Sequence, residues 1–377
     1  MTTHANPVKP DQRGFTLIEL MIGLLLGMLT VLVISQVLAL SEGKKRAITM
    51  GSDAQVNGAL SLFTLQRDIQ QAGYGAVSSP DAMGCPVKGQ YQGATAFTLS
   101  LAPVVITKGV SGASDTITVL QGQTSSFSTP ITLTGDHASD GTSYIVGSSF
   151  GAVAGNMMIA VPKVQGAGTW CTLFNVTDDA SSPLTALGPT RIPNAVGATG
   201  KWNHASLYPT AGYAAGDYLL NMGQLVSRVY SINANNNLQV ADLSPTTGVS
   251  TSLELYPEIV NLQAFYGKDT DGDGLVDRYD ATTPTTSDGW KQVLAIRIAL
   301  VARSNQFEEK DEVTSRVPEW DVGATTFADI TPANCSNGNG SKCIPLSVSG
   351  RVGTEWKHYR YKIYDTIVPL RNVLWNS

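Results

Sequence analysis

Residues 15–40, FTLIELMIGLLLGMLTVLVISQVLAL, decide the architecture of this chain because they are apolar, uninterrupted and almost free of charge. These 26 residues contain one ionisable side chain, Glu19. As a helix rising about 1.5 Å per residue, the run spans roughly 39 Å, more than the roughly 30 Å hydrocarbon core of a bilayer. It is too long for an ordinary signal-peptide core, and it lacks an A-x-A-like cleavage site. The sequence therefore predicts a membrane anchor behind a short polar segment, residues 1–14.

The composition of the whole chain indicates a β-rich protein that folds outside the cytoplasm. With 377 residues it can form one large or two ordinary domains. Hydrophobic residues make up 42% and charged residues 15%, which argues against disorder. The 37 Gly and 18 Pro favour strands joined by many turns. The net charge of −5 argues against nucleic-acid binding, which usually needs a basic face.

Glu19 is the unusual residue of the apolar run. A carboxylate inside such a segment is energetically expensive and usually has a function or a partner. The residues alone leave two interpretations open. Glu19 lies close enough to the start of the run to sit at the membrane surface, or it pairs with a positive group inside the apolar environment.

Residues 13–20, RGFTLIEL, resemble the class III signal of type IV pilins and type II secretion pseudopilins. In that signal a basic leader ends in Gly and is followed by Phe, with Glu five residues into the mature chain. The resemblance implies that a prepilin peptidase cleaves between Gly14 and Phe15 and methylates the new amine of Phe15. It further implies that the apolar run anchors the protein and later packs in a filament core. There Glu19 faces the N-terminal amine of a neighbouring subunit, which fixes the register between subunits.

The orientation of the anchor follows from the cleavage motif and not from the flanking charges. Lys44, Lys45 and Arg46 after the apolar run outnumber Lys9 and Arg13 before it, so the positive-inside rule alone gives the opposite orientation. We follow the motif, because its peptidase acts from the cytoplasm. The expected location is the bacterial inner membrane with the head in the periplasm, and afterwards the pilus at the cell surface.

The rest of the chain divides into a helix and a strand-rich part. No proline occurs between Pro10 and Pro80, which predicts one helix over residues 15–71, ended by Gly73 and Gly75. Its second half is amphipathic and should pack on a folded domain. Beyond residue 80, short β-rich runs such as 97–107 and 293–302 alternate with turns. We expect an α+β, type IV pilin-like fold with a cleaved leader (1–14), a helix (15–75) and an enlarged antiparallel head (76–377).

Three C-terminal segments resemble the PilW family of type IV pilus minor pilins. They are VNLQAFYGKDTDGDGLVDRYD (260–280), WKQVLAIRIALVARS (290–304) and YDTIVPLRNVLW (364–375). The resemblance implies a non-enzymatic minor pilin that primes pilus assembly and lies at or near the tip. The implied partners are other minor pilins, the major pilin, the prepilin peptidase, the inner-membrane assembly machinery and a tip adhesin. Adhesion and twitching motility are the implied downstream functions.

Residues 269–280, DTDGDGLVDRYD, have the spacing of a calcium-binding loop. Carboxylates occupy positions 1, 3, 5, 9 and 12, and position 7 would offer a backbone carbonyl. The expected Ca²⁺ ligands are Asp269, Asp271, Asp273, Leu275, Asp277 and Asp280. Position 12 is Asp instead of the longer Glu, and the flanks are not helical, so we expect a structural calcium site in a β setting. An acidic surface turn without metal is the alternative.

The four cysteines predict two disulfides in a protein that folds in the periplasm. Cys335 and Cys343 are only eight residues apart, which favours a local bond and leaves Cys85 to pair with Cys171. Four cysteines allow three connectivities, and only loop length favours this one. A metal site is the less favoured alternative, because no C-x-x-C motif or nearby histidine accompanies them.

One motif suggests catalysis, and two other functions compete with the pilus assignment. Residues 147–151, GSSFG, match the G-x-S-x-G hydrolase elbow, but such a match is frequent by chance in a chain rich in Gly and Ser. We expect no enzymatic activity. The alternatives are a minor pseudopilin of type II secretion and a membrane-tethered domain that binds a surface ligand or DNA. The segment YDTIVPLRN favours the pilus over the secretion system.

Overall fold

The computed structural model describes residues 14, 16–124, 129–177, 189–197, 200–309, 312–348 and 355–374, and for residues 43, 44, 46–52 and 111 it describes the backbone alone. The leader residues 1–13 and the predicted mature N-terminus, Phe15, lie outside this part of the chain. The chain divides into two compact units, Met1–Ser52 and Asp53–Ser377. The boundary falls inside the long helix.

The helix α1 extends over Leu17–Gln71, as the absence of proline predicts. It ends where Gly73 adopts a φ of +82°, a conformation that glycine reaches without strain. The side-chain amide of Asn372 donates to the carbonyls of Gln71 and Ala72 and so satisfies two acceptors at the helix end. Its first part, Leu17–Glu42, is long and apolar enough to cross a membrane, and none of its side chains is buried.

The last part of α1 belongs to the head and is amphipathic. Leu65 and Ile69, one turn apart, are fully buried, whereas Leu60 and Phe63 are 44% and 61% exposed. Asp68 on the buried side accepts hydrogen bonds from Arg228 at 2.8 Å and from the Tyr230 hydroxyl at 2.5 Å. Apolar contacts and a buried charge pair therefore fix this part of the helix to the head.

The described part of the head contains nineteen strands and two short α-helices. The strands are β1 (Pro86–Gly89), β2 (Phe97–Ser100), β3 (Val104–Thr107), β4 (Thr116–Gln123), β5 (Ile131–Thr132), β6 (Ser143–Ile145), β7 (Met157–Val161), β8 (Cys171–Asn175), β9 (Arg191–Pro193), β10 (Tyr218–Ile232), β11 (Leu238–Leu243), β12 (Ser250–Tyr256), β13 (Ile259–Lys268), β14 (Arg278–Asp280), β15 (Val293–Arg303), β16 (Glu319–Gly323), β17 (Ala333–Asn334), β18 (Lys342–Pro345) and β19 (Tyr361–Pro369). The helices are α2 (Ser287–Lys291) and α3 (Arg371–Leu374).

A ten-stranded sheet forms the larger layer of the head. Its main path is β12-β11-β10-β7-β8-β1-β2, and β4 and β5 also pair with β10, with β3 beyond β4. The long strand β10 joins the branches, because its first half pairs with β7 and its second half with β4 and β11. All pairs are antiparallel except β1 with β8, which is parallel.

A four-stranded antiparallel sheet, β14-β13-β15-β19, forms the second layer. All eleven residues of β15 are buried, which confirms the predicted central strand at 293–302. Ile296, Ile298, Leu300 and Ala302 on one face of β15 share a core with Leu65, Ile69 and facing residues of β13 and β19, whereas Ala299 and Val301 pack in a separate cluster. Small sheets β16-β18-β17 and β6-β9 complete the head. The predicted α+β, pilin-like architecture is therefore confirmed.

Two disulfides link the head. Cys85 is bonded to Cys171 and Cys335 to Cys343, the pairing expected from loop length. The first bond closes a separation of 86 residues next to the parallel β1–β8 pair, and the second closes a local loop of eight.

Candidate functional site

The start of α1 forms a reciprocal capping box around Glu19. The Glu19 backbone N–H donates to Thr16 Oγ1 at 3.3 Å, and Glu19 Oε2 accepts from the Thr16 backbone N–H at 3.4 Å and its hydroxyl at 3.2 Å. This S/T-x-x-E arrangement satisfies amide groups that a helix N-terminus leaves without partners. It also places the carboxylate at the positive end of the helix dipole. The capping role of Thr16 was not predicted, although the T-x-x-E pattern is visible in residues 16–19.

Glu19 is solvent-accessible and starts a surface that cannot remain in water. Gly14 and Thr16 are exposed as well, whereas Phe15 lies outside the described residues. Every described side chain from 16 to 42 is exposed, and Leu17 and Met28 are 80% and 72% exposed. A contiguous apolar surface of this size needs lipid or other helices around it. The arrangement can therefore serve as a membrane anchor and as a packing surface for other apolar helices.

The acidic loop follows β13 and brings three of its carboxylates together. Oxygen atoms of Asp269, Asp271 and Asp273 lie within 4.8 Å of one another. Asp269 accepts from the backbone N–H groups of Gly272 at 2.6 Å and Gly274 at 2.8 Å, so the loop wraps around its side chain. Both glycines have positive φ, +82° and +85°, which this tight loop requires.

Two of the remaining predicted ligands, Asp277 and Asp280, have partners outside this cluster. Asp277 accepts from the Thr270 backbone N–H at 2.6 Å and its hydroxyl at 2.7 Å. Asp280 lies on β14 and forms a buried ion pair with Lys268 at 2.6 Å. Leu275 donates its N–H to Asp273. Of the six predicted ligands, the structure brings Asp269, Asp271 and Asp273 together, whereas strand pairing directs Asp280 to Lys268.

The electrostatics of the loop favour a cation between the three carboxylates. Hydrogen bonds from the N–H groups of Gly274 and Gly272 lower the pKa of Asp269. The hydrogen bond from the Asp273 N–H lowers the pKa of Asp271, but the nearby carboxylates of Asp273 and Asp277 outweigh it, and its pKa is raised. Hard oxygen ligands of this kind suit Ca²⁺. The residues present fit a partial coordination sphere that solvent would complete.

The G-x-S-x-G match does not form a hydrolase elbow. Such an elbow places the serine between a strand and a helix. Ser149 is followed by turns through residues 150–156, and no helix follows it in that described stretch. The imidazole Nε2 of His137 lies 3.2 Å from Asn194 Oδ1, and its ring stacks on Tyr144. The serine therefore lacks the backbone setting of that motif.

Two family models match the chain. Residues 228–372 match the type IV pilus-assembly protein W family, PilW, and residues 9–35 match the prokaryotic N-terminal methylation motif. The first match runs from the second half of β10 to α3 and includes the acidic loop, and the second includes Gly14 and Glu19. No curated protein and no solved structure matches the chain.

Proposed function

We propose that this chain acts as a minor pilin that primes pilus assembly and lies at or near the pilus tip, because residues 228–372 match the PilW family of type IV pilus-assembly proteins and residues 9–35 match the N-terminal methylation motif. The observation that carries this proposal is the combination of the N-terminal methylation motif with an apolar helix whose side chains are all exposed from Leu17 to Glu42. Such a helix is stable in two environments, a bilayer and a bundle of similar helices. A pilin passes from the first to the second.

The N-terminal residues would control this transfer. Cleavage after Gly14 creates a free amine at residue 15, one residue before the capping Thr16. In lipid, the capping box supplies hydrogen bonds to the Glu19 carboxylate and reduces the cost of keeping it in an apolar medium. In the filament, the methylated amine of a neighbouring subunit would supply a positive charge to the same carboxylate. Because an unpaired buried charge costs several kcal/mol, this pairing selects one register of subunits.

The head would face the periplasm before assembly and the cell exterior afterwards. Both disulfides of the head support this location, since disulfides persist in oxidising compartments. The partners of such a protein are the prepilin peptidase, the inner-membrane assembly machinery, the major pilin and other minor pilins, together with a tip adhesin. Adhesion and twitching motility would then depend on it indirectly, through the presence of pili.

The test compares pili in cells that lack the protein with cells that carry variants of it. Deletion should abolish surface pili, and the wild-type chain should restore them. Glu19→Ala should be inserted and cleaved but should fail to restore pili. Glu42→Ala, at the other end of the span, is the matched control and should restore them. Normal pili with defective type II secretion in the deletion strain would contradict the proposal and support the pseudopilin alternative.

We also propose that the acidic loop binds Ca²⁺ in a structural role. The three clustered carboxylates of Asp269, Asp271 and Asp273 support this, and the ion would relieve their repulsion and stiffen the connection from β13 to β14. Ca²⁺ should raise the melting temperature of the wild-type protein, and Asp271→Asn with Asp273→Asn should remove the increase. Asp140→Asn, in an exposed turn elsewhere, should keep it. An equal response of all three proteins to Ca²⁺ would show that the loop is not the site.

A further inference from the structure

A cleft of about 480 Å³ lies on the large sheet, on the face opposite the one that packs on Leu65 and Ile69 near the end of α1. Its floor consists of side chains from neighbouring strands that share one face: Val105, Thr118, Leu120, Ser227, Val229 and Leu243. Thr118 is paired with both Val105 and Val229, and Leu120 with Ser227. The opposite face of β4 and β10 contributes Ile117, Val119 and Tyr230 to the core shared with Leu65 and Ile69.

One wall of this cleft is the edge of a strand and not its face. Six consecutive residues, 95–100, line it, and they include all of β2. A strand that presented a face would contribute every second residue only, because side chains alternate. β2 is the terminal strand of the sheet path and pairs only with β1 among the described strands. No other described strand pairs with its outer edge, so that edge presents backbone N–H and C=O groups without a strand partner to the cleft, although the Ser100 carbonyl accepts from the Ala102 N–H at 2.8 Å.

The cleft is also uncharged. Every lining residue is aliphatic, aromatic, glycine, serine or threonine. An ionic ligand would lose its hydration there without gaining a partner. The natural occupant has backbone donors and acceptors for the strand edge and apolar side chains for the floor. The six residues 95–100 that line the cleft correspond to roughly 20 Å of extended chain, which is the length of ligand that could pair along them.

We propose that this cleft binds an extended, uncharged segment of a partner protein, which adds a strand to β2 and places alternate apolar side chains on the floor. Main-chain hydrogen bonds would give affinity, and the floor would select the apolar pattern. The inference goes beyond the proposed assembly function, because packing through the apolar part of α1 does not use this cleft. A negative result for peptide binding would therefore not contradict the assembly function, and a negative result for assembly would not contradict peptide binding.

The experiment uses the full mature chain in lipid nanodiscs and hydrogen exchange read by mass spectrometry. The probe is a pool of blocked hexapeptides in which Val, Ile or Leu alternates with Thr. The pool should slow amide exchange of residues 95–100 by about tenfold or more. The same pool methylated at every amide nitrogen keeps the side chains but cannot pair as a strand, and it should give no protection.

Two variants locate the binding site independently. Val229→Lys puts a charge on the half-buried floor and should weaken peptide binding by about tenfold or more. Leu253→Lys changes an exposed residue of β12, the other terminal strand of the path, and should leave binding within about twofold. If Val229→Lys fails to fold, the hydrogen-exchange result on the wild-type chain still tests whether the peptides bind along β2.

Three results would overturn the proposal. The first is equal binding of the methylated pool, because the cleft would then take side chains without strand pairing. The second is protection of β12 instead of β2, or no protection at all. The third is that free laurate, a twelve-carbon fatty acid, displaces the peptides and itself leaves the amide exchange of residues 95–100 unchanged. That result would show that the cleft binds an acyl chain.

Discussion

Replacing Cys85 and Cys171 together by alanine should destabilise the head more than removing the other disulfide. The first bond closes a separation of 86 residues, for which loop entropy gives a stabilisation of roughly 4.6 kcal/mol. The bond between Cys335 and Cys343 closes eight residues, for which the same relation gives roughly 2.5 kcal/mol. The double alanine variants should therefore differ by about 2 kcal/mol in their free energy of unfolding.

The position of the first bond adds a local effect. β1 is held to β8 by only two registered residue pairs, Val87 with Cys171 and Lys88 with Thr172, and β2 is held only by β1 among the described strands. Loss of the bond should therefore increase amide exchange in β1 and β2 before the rest of the head unfolds.

The assay is urea unfolding of the full chain in nanodiscs, followed by tryptophan fluorescence and by hydrogen exchange. The variant that lacks Cys335–Cys343 is the matched control, since it also loses one disulfide. Equal losses of stability in the two variants would refute the loop-entropy argument. Unchanged amide exchange in β1 and β2 of the variant without Cys85–Cys171 would refute the argument that this bond stabilises the two strands locally.

Two further predictions concern buried polar groups of the head. Asp68→Asn should lower the free energy of unfolding by about 2–3 kcal/mol, because the buried charge pair with Arg228 and the hydrogen bond from Tyr230 are lost or weakened. Asp242→Asn removes the charge of the 47% exposed partner of the same Arg228 and should lower the free energy of unfolding by less than about 1 kcal/mol. Equal losses of stability in the two variants, measured by urea unfolding, would contradict the argument that burial makes the Asp68 pair the stronger one. Burial lowers the pKa of His137 below 6.5, against the opposing effects of Asn194 and Asp140. The unfolded state therefore binds the proton more tightly, so the contribution of neutral His137 is complete above pH 6.5 and is lost as the pH falls toward the folded pKa. His137→Gln should flatten the dependence of stability on pH between about 7 and 5. An unchanged slope would show that His137 does not cause this pH dependence.

Features that depend on local sequence were predictable. A long stretch without proline, followed by Gly73, predicts the helix α1 and its last residue, Gln71. The apolar run at 293–302 predicts the strand β15. The disulfide pairing followed from loop length. In each case one short-range physical rule dominates the outcome.

Features that depend on strand pairing were not predictable. The twelve-residue spacing of the acidic loop does not reveal that β14 pairs with β13 and brings Asp280 to Lys268. The run 97–107 reads as one strand, but it contains two, β2 and β3, which pair with different strands. The cleft along β2 combines residues between 95 and 250, so no local pattern could indicate it.

The exposed side of α1 also departs from simple amphipathic reasoning. Leu60, Phe63, Leu65 and Ile69 all have helical spacing, yet only Leu65 and Ile69 are buried in the chain. Periodicity indicates which residues avoid water, but it does not distinguish the core of the chain from a surface that another subunit covers.

The most direct test of the central claim is the intact mass and N-terminal sequence of the protein from its native membrane, with and without the prepilin peptidase. The account predicts a mature chain that begins at N-methylated Phe15 only when the peptidase is present. An unprocessed N-terminus in both kinds of cell would contradict it, because the apolar helix would then be an ordinary anchor and Glu19 would have no processed amine to pair with.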